Sequence, residues 1–465
     1  MKILTTIILC FYSVGLYAQT LDNNIIDGYR GIWFTLNQFT EYGDKYSGGL
    51  GTYTVKHVPL AIYSAEAGKT FFVYGGTTSE NERHLLCMIG YYDHKSGTVC
   101  KPRVVFDKQE VDDPHDNPSL LIDKDGYIWV FVSGRNISRP GYKYRSTRPY
   151  SIDSFERMGT SDMTYPQPMY IDGHGFFHFF TQYTGVRELY FETSTDGINW
   201  SAKTKLAGMK GTGETRAGHY QVSNHRGSRI VTFFNRHPDG NVDKRTNIYF
   251  IQTDDFGRTW SSVSGEPVDL PVTDPAGRTL VLEVESKGKN VYIKDVNFDQ
   301  NGHPMVLYLT SNSHKPGPDG NPREWHVTRW DGIQWVHSYI TTSTHNYDSG
   351  SLWVNGKEWV VIAPTLPGPQ YWGTGGEIVS WVSRNQGNTW KMKHQYTTRS
   401  IRNQGYVRRP VNARDPFYSY WADGNTDKLS ISKLYFGDSK GNVYELPYHM
   451  KDDMAKPVKI KQTSK

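Results

Sequence analysis

Cysteine is scarce: three in 465 residues, one of them, Cys10, inside the N-terminal apolar stretch. The remaining Cys87 and Cys100 are too few for a disulfide-stapled scaffold, and their spacing matches no zinc motif. One disulfide and a pair of buried thiols are both open. Stability must come from a packed core, for which the length is ample. Charge of one sign is also lacking. Against 47 Asp and Glu stand 52 Lys and Arg, a net +5 with no basic block. Nucleic acid and membrane surfaces are therefore poor partners, while local recognition of a small anionic group stays possible. Beyond the first eighteen residues no apolar run reaches membrane-spanning length. Long helical periodicity and low-complexity linkers are missing too. So are a metalloprotease-type zinc motif, a nucleophile elbow and a phosphate loop, which removes the chemistries those motifs carry.

What is present begins with MKILTTIILCFYSVGLYA. Lys2 precedes an apolar stretch that ends at Ala18, the pattern of a cleaved secretory signal. Cys10 lacks the small residues that precede a lipidated cysteine. The expectation is a 1–18 signal peptide and a single domain over 19–465, secreted or periplasmic. Aromatics are abundant, with 32 Tyr, 20 Phe and 13 Trp beside 45 Gly. Short runs such as KTFFVYGG, YIWVFVSG, GFFHFFTQYTG, RIVTFFNR and PMVLYLTS are bounded by Gly, Asp and Asn, which predicts an all-β fold.

A repeat is laid over these runs. TDDFGRTW (253–260) fits the Asp-box pattern [ST]-x-D-x-G-x-T-W, and SRNQGNTW (383–390) fits with Asn for Asp. TSTDGINW (193–200) and TRWDGIQW (328–335) are degenerate versions. The Asp or Asn caps a hairpin turn, Gly supplies a positive φ and Trp packs between blades. The tryptophans at 200, 260, 335 and 390 are 60, 75 and 55 residues apart. At that spacing the roughly 440 mature residues make about seven four-stranded blades, a seven-bladed β-propeller. A two-domain β-sandwich would need a linker that the sequence does not offer.

Several residues could carry chemistry. His94 in YYDHKSGT and His115 in DDPHDNPSL occupy loop-like positions, and loops on one propeller face converge on the channel, so the two could meet. Pro114 and Pro118 rule out a helix or central strand around His115. Each histidine could equally bond a turn carbonyl. Tyr165 lies in MTYPQPMY and Arg187 opens a strand in TGVRELYFETS. AGHYQVSNH holds His219 and Tyr220, and FFNRHPDGNVDKRTN adds Arg236, His237, Lys244 and Arg245. Two routes suit an anionic sugar. Hydrolysis needs paired carboxylates. β-Elimination at a uronate needs its carboxylate neutralised, a base at C5 and a proton for O4. A list rich in His, Tyr and Arg favours elimination.

GYRGIWF, DKYSGGLGTYTVKHVPLAIY, the DHKSGT and DPHDNP pair, MTYPQPMY, GHYQVS, FFNRHPDGNVDKRTN and LYFGDSKGNVYELPY resemble the BNR-4 type seven-bladed polysaccharide lyases over nearly the whole mature chain. These are ulvan lyases and L-rhamnosyl-α-1,4-D-glucuronate lyases. The resemblance implies a catalytic set of His94, His115, Tyr165, Arg187 and Tyr220, with Arg187 and one histidine on the uronate carboxylate. Arg236, His237, Arg245 and His57 are expected among the substrate-binding residues. The resemblance also implies an anionic uronate-containing polysaccharide as partner, of arabinogalactan type or, alternatively, sulfated ulvan. His57 in VKHVPL is the residue a rhamnosidase reading would use, and a non-catalytic glycan-binding propeller is the remaining alternative. Some ulvan lyases hold zinc through Cys and His; with only Cys87 and Cys100 available no metal is expected here. No cofactor is required for the chemistry, and a structural calcium in the channel is permitted by the resemblance alone.

Overall fold

The computed structural model describes residues 20–45, 47–49, 51–79, 84–109, 111 and 113–461; the expected signal peptide lies outside them. Seven antiparallel sheets succeed one another along the chain as the blades of a β-propeller. Their innermost strands are Ala61–Ser64, Pro118–Ile122, Thr164–Ile171, Gln221–Arg226, Asn290–Phe298, Ser351–Asn355 and Asn403–Arg408, numbered here as blades I to VII. Residues at or just before the starts of these strands line one cleft, and residues at or just past their ends line another. The strand starts therefore define one face of the ring. Helix is confined to single 3-10 turns in the described residues, and none of their helices is long and apolar enough to cross a membrane.

Blade III shows why the strand runs are so continuously apolar. In Gly175–Tyr183 alternate side chains point to opposite faces. Phe176 and Phe180 join Trp129 and Phe131 of blade II, whereas Phe177 and Phe179 join Tyr249 and Trp260 of blade IV. Both faces are covered, so both parities must be apolar. His178 is the exception. Its Nδ1 lies 2.9 Å from Glu192, which also accepts from Lys143 of blade II at 2.7 Å, all three buried. Removing one partner leaves an uncompensated buried charge. Glu192→Ala is thus expected to destabilise by about 3–5 kcal/mol, read as a lower denaturation midpoint; a change under about 0.5 kcal/mol, normal for a surface site, would exclude this account.

The Asp-boxes behave as the sequence predicts. Asp255 accepts from Thr259 N at 2.9 Å and Thr259 Oγ1 at 2.7 Å, and Asn385 accepts from Thr389 N at 3.0 Å. Gly257 has φ +87 and a Cβ there would lie 2.7 Å from Phe191, so only glycine fits the turn against the neighbouring blade. Trp260 packs on Phe191 of blade III, and Trp335 on Phe233 and Phe250 of blade IV.

The ring is closed by the C-terminal segment. Met454–Ala455 pairs with Thr98–Cys100 on blade I, and Val458–Ile460 pairs with Val443–Glu445 on blade VII. Cys87 and Cys100 are both free and buried, so of the two open readings the thiol pair holds.

Candidate active site

The cleft at the strand-start face is lined by Tyr53, Lys56, His115, Arg135, Tyr165, Tyr183, Arg187, Tyr220, Arg245, Tyr292, Lys294, Tyr347 and Tyr406, among others, and holds about 660 Å³ counting its open mouth. The entry of each innermost strand supplies at least one wall residue. Two are aimed by irregular backbone. Register shifts between Thr164 and Gln167 and between Gly405 and Arg408 accompany Tyr165 at φ 54 and Tyr406 at φ 55. A bulge re-aims a side chain, and the positive φ of a non-glycine residue costs about 1–3 kcal/mol.

His115 sits on the single turn Pro114–Asp116, and Pro118 opens the adjoining strand, where a missing N–H is tolerated. Its Nδ1 lies 2.5 Å from Asp113 Oδ1 and its Nε2 3.0 Å from the Tyr53 hydroxyl. Asp113 is also bonded by Arg139 at 2.7 Å. Burial lowers the pKa of His115, against the opposing pull of Asp113. The neutral ring thus donates from Nδ1 to Asp113 and accepts the Tyr53 hydroxyl at Nε2. Tyr53 is held in turn by Asn117, whose Nδ2 donates to its carbonyl at 2.7 Å. Asn117 reaches over Gly75, where a Cβ would lie 2.1 Å from Asn117 Oδ1. Asp113→Asn should lose a charge-assisted bond of about 1.5–3 kcal/mol, a drop of about 10- to 100-fold in kcat/KM; unaltered steady-state kinetics would remove Asp113 from the machinery.

Three tyrosines and three arginines continue the wall from His115, whose ring lies 5.9 Å from that of Tyr165. The Tyr165 and Tyr183 hydroxyls are 3.0 Å apart, and both hydrogen-bond toward Tyr220. The guanidinium carbons of Arg135 and Arg187 lie 4.8 and 4.9 Å from the centre of the Tyr183 ring. Arg245 faces the rings of Tyr220, Tyr292 and Tyr347 at 5.0, 4.6 and 5.3 Å. Burial alone would raise the pKa of Tyr220, but Arg187, Arg245 and the hydroxyls of Tyr183 and Tyr165 together lower it, and the net shift is downward. Tyr165 goes the other way: burial, with Tyr183 and Tyr220 beside it, holds its pKa well above the ordinary value. Among the described residues no carboxylate lies within ion-pair distance of Arg187 or Arg245. The cleft is a cationic hollow containing one acidified phenol.

Of the sequence-predicted residues, His115, Tyr165, Arg187, Tyr220 and Arg245 converge here. His94 does not, which corrects the expectation that it meets His115. It follows Leu86–Asp93 at the opposite face, about 25 Å of strand away, where it bonds Thr70 Oγ1 at 2.8 Å and packs on Tyr63 and Tyr92. Arg236 is also displaced: buried away from the cleft, it is bonded by Glu214 at 2.5 Å and by both oxygens of Glu285. His57 is fully buried beneath the site. Its Nδ1 accepts from Thr54 N at 3.1 Å and its Nε2 donates to the His115 carbonyl at 3.0 Å, and burial pushes its pKa down to about 3. Both nitrogens are committed to backbone, which removes it as a substrate ligand or a hydrolytic catalyst and leaves it as a support for the His115 turn. His237 is fully buried with its ring 4.8 Å from that of Tyr220, behind the wall and not in it.

Sequence reasoning missed Tyr53, Lys56, Arg135, Tyr183 and Lys294. Arg135 and Tyr183 lie where the second strand of a blade passes to the third, Lys294 sits at a register shift within Asn290–Phe298, and Tyr53 and Lys56 lie on the loop before blade I. As for calcium, Lys56 and Lys294 line the cleft and Arg408 stands close enough to Lys56 to repel it, and cations so placed do not fit a divalent metal.

The family described as "BNR repeat-containing family member" matches residues 64–343. An ulvan lyase of Nonlabens ulvanivorans is 25% identical over 336 residues, 64% of this chain and 68% of that protein. One from Alteromonas sp. (strain LOR) is 22% identical over 253 residues, 48% of this chain and 52% of its own length. The solved structure of a PL25 ulvan lyase bound to -[GlcA(1-4)Rha3S]- superposes with a TM-score of 0.69 at 17% identity, covering 86% of this chain and 95% of that one; at that identity the likeness is one of fold.

Proposed function

The chain belongs to the BNR repeat-containing family, and from that membership and the cleft's chemistry we propose that it is a polysaccharide lyase, a carbon–oxygen lyase that cuts the rhamnose–glucuronate linkage of an anionic polysaccharide by β-elimination. The observation that carries this reading is the cluster itself: Tyr165, Tyr183 and Tyr220 line one cleft with Arg187 and Arg245, the Tyr165 and Tyr183 hydroxyls are 3.0 Å apart and Arg245 faces the Tyr220 ring at 5.0 Å. Cations beside one phenol favour its phenolate, and burial keeps the other protonated, the pairing a base and an acid need. Arg187, free of any carboxylate, engages the uronate carboxylate through its planar fork and drains charge from C5. Tyr220 takes the C5 proton, the C4–O4 bond breaks as C4=C5 forms, and Tyr165 gives its proton to the departing O4. Loss of the proton from Tyr220 and regain of one by Tyr165, through solvent, then reset the pair.

The two rings are 5.7 Å apart, on one side of the cleft, which suits a syn elimination. In glucuronate the C5 hydrogen and O4 share a face; in iduronate they do not. A glucuronate cut is therefore the one the geometry supports. The sequence similarity to ulvan lyases makes ulvan the first polymer to test and rhamnose-capped arabinogalactan the second. Such polymers are met outside the cell, in keeping with the expected leader.

Incubation with each polymer, followed through the ultraviolet absorbance of a 4,5-unsaturated uronate, tests the reading. Absorbance growing with either supports it. Free rhamnose without absorbance would mean hydrolysis, and no product from either would mean a binding module.

A further inference from the structure

The cleft accounts for the sugars at the cut, yet a polysaccharide chain runs on past them. Among the described residues the exposed aromatic rings are Phe39, Tyr42, Tyr339 and Tyr371. Three of the four fall in one place. Phe39 and Tyr42 belong to the small hairpin that pairs Phe39–Thr40 with Gly43–Asp44, and the half-buried Trp372 joins Tyr42 to Tyr371. Its ring centre lies 5.9 Å from that of Tyr42 and 4.7 Å from that of Tyr371, edge to face in both pairs. The Tyr42 ring rests on Gly317, where a Cβ would come within 2.3 Å of it, and the buried Arg323 guanidinium lies 5.8 Å from the Trp372 ring.

This group stands at the cleft face. Residues 312–322 and 367–376 each connect the second strand of a blade to the third, the type of connection that brings Arg135 and Tyr183 into the cleft. The hairpin is tied to the cleft wall by the ion pair of Lys45 with Asp243, between the lining residues Val242 and Arg245. Thr374, two residues past Trp372, has its hydroxyl 3.2 Å from His345 Nδ1, beside the lining residue Tyr347. Core packing does not explain rings left in water, whereas clustered apolar surface with a polar surround marks a binding site. Glu41 and then Asp319 are near enough to Tyr42 to raise its pKa, and the same charges repel a carboxylate or a sulfate. What is held here is therefore recognised by an apolar face. Tyr42, Tyr371 and Trp372 all lie outside residues 64–343, the part matched to the BNR repeat-containing family, so membership of that family does not supply them.

We propose that Tyr42, Tyr371 and Trp372 form an outlying platform on the cleft rim, on which a pyranose of the bound polymer, beyond the cut linkage, stacks through its C–H face. A pyranose ring carries C–H bonds across its faces, and their slightly positive hydrogens meet the negative face of an aromatic ring. The proposal rests on the lyase reading for the chain that lies in the cleft and goes beyond it in giving that chain a second, uncharged hold.

The test compares short and long fragments of ulvan and of rhamnose-capped arabinogalactan, with affinity by calorimetry and cleavage by absorbance. The parent should favour long fragments of one polymer by about tenfold, as burial of roughly 50 Å² of apolar surface gives. That gain should withstand high salt, because screening acts on charges. In Tyr42→Ala and Tyr371→Ala the long-to-short ratio should fall toward one, and in Tyr371→Phe it should persist, since the ring remains. Both rings are exposed, so the fold tolerates their loss; should one variant fail to fold, the other carries the test. No length preference in the parent for either polymer, a preference undiminished in both alanine variants, or one abolished by salt would overturn the platform. If the parent binds long fragments better, loses this in the alanine variants and yet cleaves nothing, the lyase reading falls and the platform stands.

Discussion

Tyr220→Phe is expected to lower kcat/KM for elimination by about 10²–10⁴-fold, the usual contribution of a positioned acid–base group. The ring and its packing against Tyr165 and His237 survive the change, so substrate binding should be nearly preserved and the loss should fall on kcat. The pH profile gives an independent check. As a base, Tyr220 must be deprotonated in the free enzyme, so kcat/KM rises with pH through its pKa. Burial would push that ascending limb far into alkali; Arg187 and Arg245 pull it back below the ordinary tyrosine value. A phenylalanine variant with wild-type kcat would exclude Tyr220 as the base.

Arg187→Ala should remove the carboxylate clamp and lower kcat/KM by about 10²–10³-fold, as loss of one preorganised electrostatic group does. It should also move the ascending limb to higher pH, because the guanidinium that acidifies Tyr220 is gone. The two effects separate the clamp from a merely structural arginine. Arg187→Lys should recover part of the pH shift, since a charge returns, and little of the rate, since the planar fork does not. Turnover near that of the parent would sink the assignment.

The blades were legible because each leaves a local signature. An Asp-box turn such as TDDFGRTW is fixed by contacts within five residues, and GFFHFFTQY shows by its unbroken apolarity that both faces are covered. The site was less legible because it is assembled from every blade. His94 illustrates the limit. Between it and His115 the chain climbs the blade once more through Thr98–Cys100 and Arg103–Asp107, both antiparallel to Leu86–Asp93. An odd number of crossings puts two residues on opposite faces, and 21 residues of spacing cannot reveal whether the number is odd or even. Arg236 failed differently: its partners, Glu214 and Glu285, are 22 and 49 residues away, so nothing local indicates that its charge is already used. Tyr53, on a loop before blade I, and Lys294, within Asn290–Phe298, were passed over because a lone tyrosine or lysine is unremarkable until the fold turns it into one hollow with the others.

In blades III to VI the third strand begins on the cleft side, as at Arg187, and ends in the Asp-box turn at the far side, as at Ser194. Thermal endurance and substrate preference are thereby written at opposite ends of the same eight residues. A protein engineer could regularise the drifted boxes at 193–200 and 328–335 toward the full pattern to gain heat tolerance, while re-targeting the enzyme by editing strand entries one blade at a time, with little crosstalk between the two campaigns.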